Sequence, residues 1–178
     1  MTIKINYKST SFKKNSNNLV LFVDENFNIG GLKKHVSNTE ISYISDLLKT
    51  SDLKKNLLVF EISSKKTIFL VSIKKNLKFS DIENLGAKFH SYINYDKKID
   101  YFINADSINS KIENFLGYFL HGLKLKSYEF NIYKSKKEKK IISINVLGNK
   151  SKINNQNQLR FKALEEGTFF ARNLVSEP

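Results

Sequence analysis

Cysteine is absent from the 178 residues, proline occurs once, and arginine occurs twice. Without cysteine the chain builds no disulfide framework and no thiolate zinc site. The single proline is Pro178, so no proline-rich linker divides the sequence. No apolar run approaches the ~20 residues that cross a bilayer, which leaves no membrane partner. Met1-Thr2-Ile3-Lys4 leads into no apolar stretch of the secretory kind. The chain therefore reads as a cytoplasmic globular domain. It contains no internal repeat, no G-x-S-x-G elbow and no phosphate-binding P-loop. His35, His90 and His121 stand apart, and none has a second histidine or a carboxylate at metal-ligand spacing. His121 falls on a helical stripe and reads as a packed or capping residue.

What the chain has in excess is lysine. Lys+Arg total 30 against 17 Asp+Glu, for a formal net charge of +13. Positive charge on this scale suggests a nucleic-acid partner. Yet lysine outnumbers arginine 28 to 2, and arginine is the residue suited to bidentate recognition of phosphate and base edges. Lys, Asn, Ile, Phe and Tyr together make up about half the chain. All five have A/T-rich codons, so most of the charge reads as composition bias on a solvated surface. One stretch stands out. Lys134, Lys136, Lys137, Lys139 and Lys140 follow Tyr128, Phe130 and Tyr133. Aromatics that stack bases beside lysines that hold phosphates would make a nucleic-acid patch. The alternative is a solvated loop.

Periodicity alternates between strand and helix. Strands are expected at 19–23, 57–62, 67–74, 99–105 and 141–147, with the second and third joined as a hairpin. Ser37 to Glu40 and Ser80 to Glu83 each read as a capping box. Ile41, Ile44 and Leu48 follow the first. Ile82, Leu85, Phe89 and either Tyr92 or Ile93 follow the second. A further helix is expected from Ser107 to Leu123, with Gly122 near its end, and a last one over 158–175. Ala163, Gly167 and Ala171 share one face of that last helix, where small side chains let a neighbour approach. The pattern predicts a three-layer α/β fold with a mixed sheet flanked by helices. Asp24-Glu25 follows a strand end, where ligands bind in α/β folds. Gly30-Gly31 is the only glycine pair that could approach a phosphate.

Two stretches near the C-terminus resemble a known family. Residues 122–134, reading GLKLKSYEFNIYK, resemble the segment G-L-x-L-x-S-Y-R-F-D-R-Y-K of leucyl (cytosol) aminopeptidases. Ser127, Tyr128, Phe130, Tyr133 and Lys134 match, whereas Glu129, Asn131 and Ile132 depart. Residues 166–178, reading EGTFFARNLVSEP, are similar to that family's E-G-x-x-x-A-R-D-L-V-N-E-P. Gly167, Ala171, Arg172, Glu177 and Pro178 match there, and Asn173 and Ser176 depart.

The resemblance implies an N-terminal α/β domain resembling a macro domain, residues 1–150. A loop and helix, 151–178, would then lead to a C-terminal catalytic domain not contained in this sequence. Such a parent would be a hexameric metallopeptidase with two divalent metal ions, Zn or Mn, that removes N-terminal residues from peptides. The family's metal motif N-T-D-A-E-G-R does not occur here, so no catalytic or metal residue is placed on this chain. The matched aromatics would anchor an interface with the chain's own catalytic domain. Two other readings stay open. One is a basic nucleic-acid-binding module. The other, from fold likeness alone, is a nucleotide or ADP-ribose site near Gly30-Gly31.

Overall fold

A six-stranded mixed sheet, ordered β1-β6-β5-β2-β4-β3, runs through the middle of the molecule. The computed structural model describes residues 2–8, 17–95, 99–130, 140–151 and 153–177. Its strands are β1 (Thr2–Lys8), β2 (Asn18–Asp24), β3 (Leu57–Ser63), β4 (Lys66–Ile73), β5 (Asp100–Asn104) and β6 (Ile141–Leu147). Its helices are α1 (Asn38–Thr50), α2 (Phe79–Tyr95), α3 (Phe115–Lys126) and α4 (Asn155–Ser176). Only β3 runs against its neighbour, β4, and Ser63 pairs with Lys66 at the hairpin's turn. The remaining pairs are parallel, as helical crossovers require.

Strand β2 lies inside the sheet and is buried from Asn18 to Val23. That explains its unbroken apolar run, since both faces are covered. Leu19, Leu21 and Val23 face a core shared with Ile44 of α1 and with Phe27, Leu32 and Val36. Val20 and Phe22 face the opposite core, with Phe89 of α2 and Phe119 of α3. The Phe22 and Phe119 rings meet edge-on with centroids 5.3 Å apart, and Phe69 meets Phe89 in the same way at 5.3 Å. Each such buried ring contributes roughly 1.5–3 kcal/mol through burial alone. Helix α4 packs outside this layer, against α3, and Phe161 is its one buried residue.

Several boundaries differ from the sequence reading. The helix expected from Ser107 begins only at Phe115, after Asn114 takes a left-handed conformation with φ 55°. Ile108 and Ile112 still pack on the core, but from the connecting loop. Ser80 lies inside α2 rather than capping it, and the Asp81 carboxylate instead accepts the Lys78 backbone N–H at 2.8 Å. Gly122 does not end its helix. It sits where α3 crosses α2, and an added Cβ there would collide with the Glu83 carbonyl. Gly86 faces the Phe119 carbonyl in the same way, so the two helices touch backbone to backbone. Of the two alternatives in α2, Ile93 is buried and Tyr92 is exposed. Helix α4 starts three residues earlier than expected, capped by the Asn154 side chain, which accepts the Gln156 N–H. Strand β1 was not foreseen.

Candidate functional site

The two motif segments, separated by residues 135–165, meet at the C-terminal end of α3. There Ser127 closes the helix. Its N–H donates to the Leu123 and Lys124 carbonyls, and its hydroxyl donates to Lys124 O at 2.7 Å. Carbonyls that a helix end leaves unpaired are thereby satisfied. The chain then turns and delivers Tyr128 to α4. The Tyr128 hydroxyl donates to Asn173 Oδ1 at 2.7 Å. Arg172 donates from its guanidinium to Leu125 O at 2.8 Å, and the same group lies 5.4 Å from the Tyr128 ring centroid. The Phe169 ring packs on Tyr128 at 5.3 Å. Two hydrogen bonds, a cation–π contact and a ring contact thus clamp the second half of α4 to the end of α3.

On the far side of this clamp lies a shallow groove of about 670 Å³, bordered by Tyr128, Leu164, Gly167, Ala171, Arg172 and Val175. Among the described residues, no atom beyond its own stretch of helix comes within 4 Å of where a Gly167 Cβ would sit. Among the described residues, then, no element makes the close approach expected over the small-residue face. The surrounding apolar side chains stay in solvent, with Phe170 64% exposed and Val175 88% exposed. Glu177 is exposed, and its backbone N–H donates to Asn173 O at the helix end. Phe130 is half-buried after Tyr128. Tyr133, Lys134 and Pro178 lie outside the described residues.

The other expected sites fare differently. Lys134, Lys136, Lys137 and Lys139 also lie outside the described residues. The Lys140 ammonium donates to the Ile93 and Asn94 carbonyls at 3.3 and 3.0 Å, the last turn of α2. The Asp24 carboxylate is occupied by its own loop, accepting the Asn26 and Asn28 N–H groups at 3.0 and 2.9 Å. Glu25 pairs in solvent with Lys75 at 3.5 Å. Gly30 starts a short 3-10 helix, and its N–H donates to Asn28 Oδ1 at 2.9 Å rather than facing a free cradle. Between β2 and β5 the Ser107 hydroxyl accepts the Phe22 N–H at 3.0 Å and donates to Asn104 O at 2.7 Å.

Sequence reasoning missed one polar pair. His121 is packed, as expected, and its Nδ1 lies 2.8 Å from Glu83 Oε1. A carboxylate only accepts, so Nδ1 carries the proton. The partners sit on different helices, 38 positions apart, and no local spacing signals such a contact.

These elements define a class: a three-layer mixed α/β domain with an outer helix clamped along one side. Known proteins share the fold. No protein-family model matches the sequence, and no curated protein matches it. Among solved structures, a mutant of tomato leucine aminopeptidase superposes with a TM-score of 0.74 at 17% identity, over 99% of this chain and 39% of that one. Cytosol aminopeptidase from Coxiella burnetii matches with a TM-score of 0.56 at 14% identity, over 97% of this chain and 33% of that one. The bottromycin maturation enzyme BotP, solved in complex with Mn, matches with a TM-score of 0.61 at 11% identity, over 91% and 32%. At these identities the likeness is one of fold. The chain spans between a third and two fifths of the length of these structures.

Proposed function

We propose that this chain is the non-catalytic N-terminal domain of a metal-dependent leucyl aminopeptidase, serving assembly or shielding the active-site entrance. One observation carries the reading. The two segments that resemble the aminopeptidase junction converge on one clamp, Tyr128 to Asn173 and Arg172 to Leu125 O. Beside it they leave an apolar groove that no element among the described residues covers. The fold shared with solved aminopeptidases over a third of their length supports the same reading. In the parent the groove would receive the catalytic domain, and the parent would assemble as a homo-hexamer.

The reading implies two divalent metal ions, Zn or Mn, for the parent. Among the described residues no three His, Asp or Glu side chains gather to hold a metal. These residues therefore do not fit that group, and no step of peptide hydrolysis is assigned to them.

The gene beyond codon 178 provides the test. A downstream reading frame with a lysine and carboxylate-rich metal motif is expected. The longer protein should then cleave a leucine anilide with Mn²⁺, and residues 1–178 alone should not. A stop codon directly after Pro178 would overturn the proposal.

A further inference from the structure

A second cleft lies on the other side of α4, enclosed by β1, α3 and the first half of that helix. It measures about 460 Å³, within the ~300–1,000 Å³ usual for small-molecule sites. Ile5, Leu120, Ile153 and Phe161 give it an apolar lining. Polar side chains line it too, among them Tyr7 from β1, His121 and Lys124 from α3, and Lys162 and Glu165 from α4.

The fold leaves these groups largely unused. Among the described residues, neither the Tyr7 hydroxyl nor the Glu165 carboxyl makes a hydrogen bond. Lys124 donates one N–H to Ile3 O at 2.7 Å and keeps two. His121 is 6% exposed, with Nδ1 held by Glu83 and a buried Nε2 that has no partner. Tyr7 is 39% exposed, and partial burial with Glu165 nearby pushes its hydroxyl up to about 12, so it stays a donor at neutral pH. Burial also raises the Glu165 carboxyl, against the pull of Lys124 and His121. Of these groups, His121 Nε2 is the buried atom left without a partner, and a native fold seldom leaves such an atom unpaired.

We propose that this cleft binds a small zwitterion with an apolar side chain, an aliphatic α-amino acid. The ligand's ammonium would meet Glu165 and, as it settles against the imidazole, the vacant His121 Nε2. Its carboxylate would accept from Tyr7 and Lys124, and its side chain would lie on Leu120 and Phe161. The opposite charges of Lys124 and Glu165 select a ligand that carries both signs. Neither an alkane nor a simple anion satisfies both.

The experiment is an amide and imidazole ¹⁵N NMR titration of the 178-residue chain with L-isoleucine. Saturable shifts at Gly117, His121 and Lys124 are expected in the millimolar range. Three comparators separate the contributions: 3-methylpentanoate lacks the amine, isoleucinamide lacks the carboxylate, and glycine lacks the side chain. Each should bind at least tenfold more weakly. Tyr7→Phe and Glu165→Gln, both nearly isosteric, should each weaken isoleucine roughly tenfold while the rest of the spectrum is unchanged. Absence of saturable shifts, or equal binding of 3-methylpentanoate and isoleucine, would overturn the proposal.

Discussion

Two glycines with the same side chain have opposite consequences at the residue scale. Gly122 is pressed against the Glu83 backbone, and neither helix can withdraw without opening the core around Phe89 and Phe119. A methyl group there forces overpacking, which costs roughly 1–3 kcal/mol or more when the opposing atom is backbone. Gly167 faces open space on the outer helix, where Gly→Ala recovers about 0.5–1 kcal/mol of helix stability. Urea unfolding of the isolated chain should therefore show Gly122→Ala destabilised and Gly167→Ala stabilised. A stabilised Gly122→Ala would overturn the backbone-to-backbone contact of α2 and α3, and a destabilised Gly167→Ala would show that the outer face of α4 is packed. The Gly167 result also has a functional side. A stabilising residue left out of an exposed helix makes sense if a neighbour occupies the groove in a longer protein, and Gly167→Ala would then weaken that docking.

At the scale of elements, one helix start shows how charge and capping combine. The Ser37 hydroxyl accepts the Glu40 N–H, and the Glu40 carboxylate accepts the Ser37 N–H at 2.9 Å. Lys66 of β4 reaches the same carboxylate at 2.6 Å. Burial works to raise the Glu40 carboxyl, but the Lys66 and Ser37 hydrogen bonds outweigh it and hold the carboxyl below its usual value. A depressed carboxyl stabilises the fold above its unfolded pKa, and that contribution fades as pH falls through the folded value. Glu40→Gln should therefore be less stable than the parent chain at neutral pH, and the gap should narrow as pH falls below about 4.5. A gap that persists in acid would mean that shape, not charge, makes the contribution. This capping box was legible in the sequence because its parts are three residues apart. The central strands were legible because burial on both faces leaves a continuous apolar run. Strand β1 was not, since its Ile3-Lys4-Ile5-Asn6-Tyr7 alternation is short and lies at a sheet edge. The start of α3 was not, since Ile108 and Ile112 keep helical spacing while packing from a loop. The motif residues were visible singly. Their clamp depends on how α3 and α4 cross, which no local pattern encodes.

For the molecule as a whole, the relevant quantity is how stability responds to protons on a chain of net charge +13. The described helices include none long and apolar enough to cross a membrane. His90 in α2 is buried at 5% exposure with no hydrogen-bond partner on either ring nitrogen among the described residues. Burial pushes its pKa below the usual 6.5. Lys126 and Lys140 add to that, and Glu129 opposes it. In the unfolded chain the ring takes up a proton near pH 6.5, whereas in the folded chain it resists. Stability is therefore complete above about 6.5 and declines as pH falls from there toward the folded value. The raised Glu165 acts in the opposite sense, since a carboxyl that ionises late makes the fold lose stability as pH rises past about 4.5. Comparing variants isolates each contribution. Urea midpoints of the parent chain should drop between about pH 7.5 and 5.5, and His90→Leu should remove most of that drop. The leucine carries no ring nitrogen to desolvate, so the variant should also be the more stable of the two at the acid end. Parallel midpoint curves for the two proteins would show that His90 is protonated as readily in the folded chain as in water, and that its burial carries no electrostatic cost.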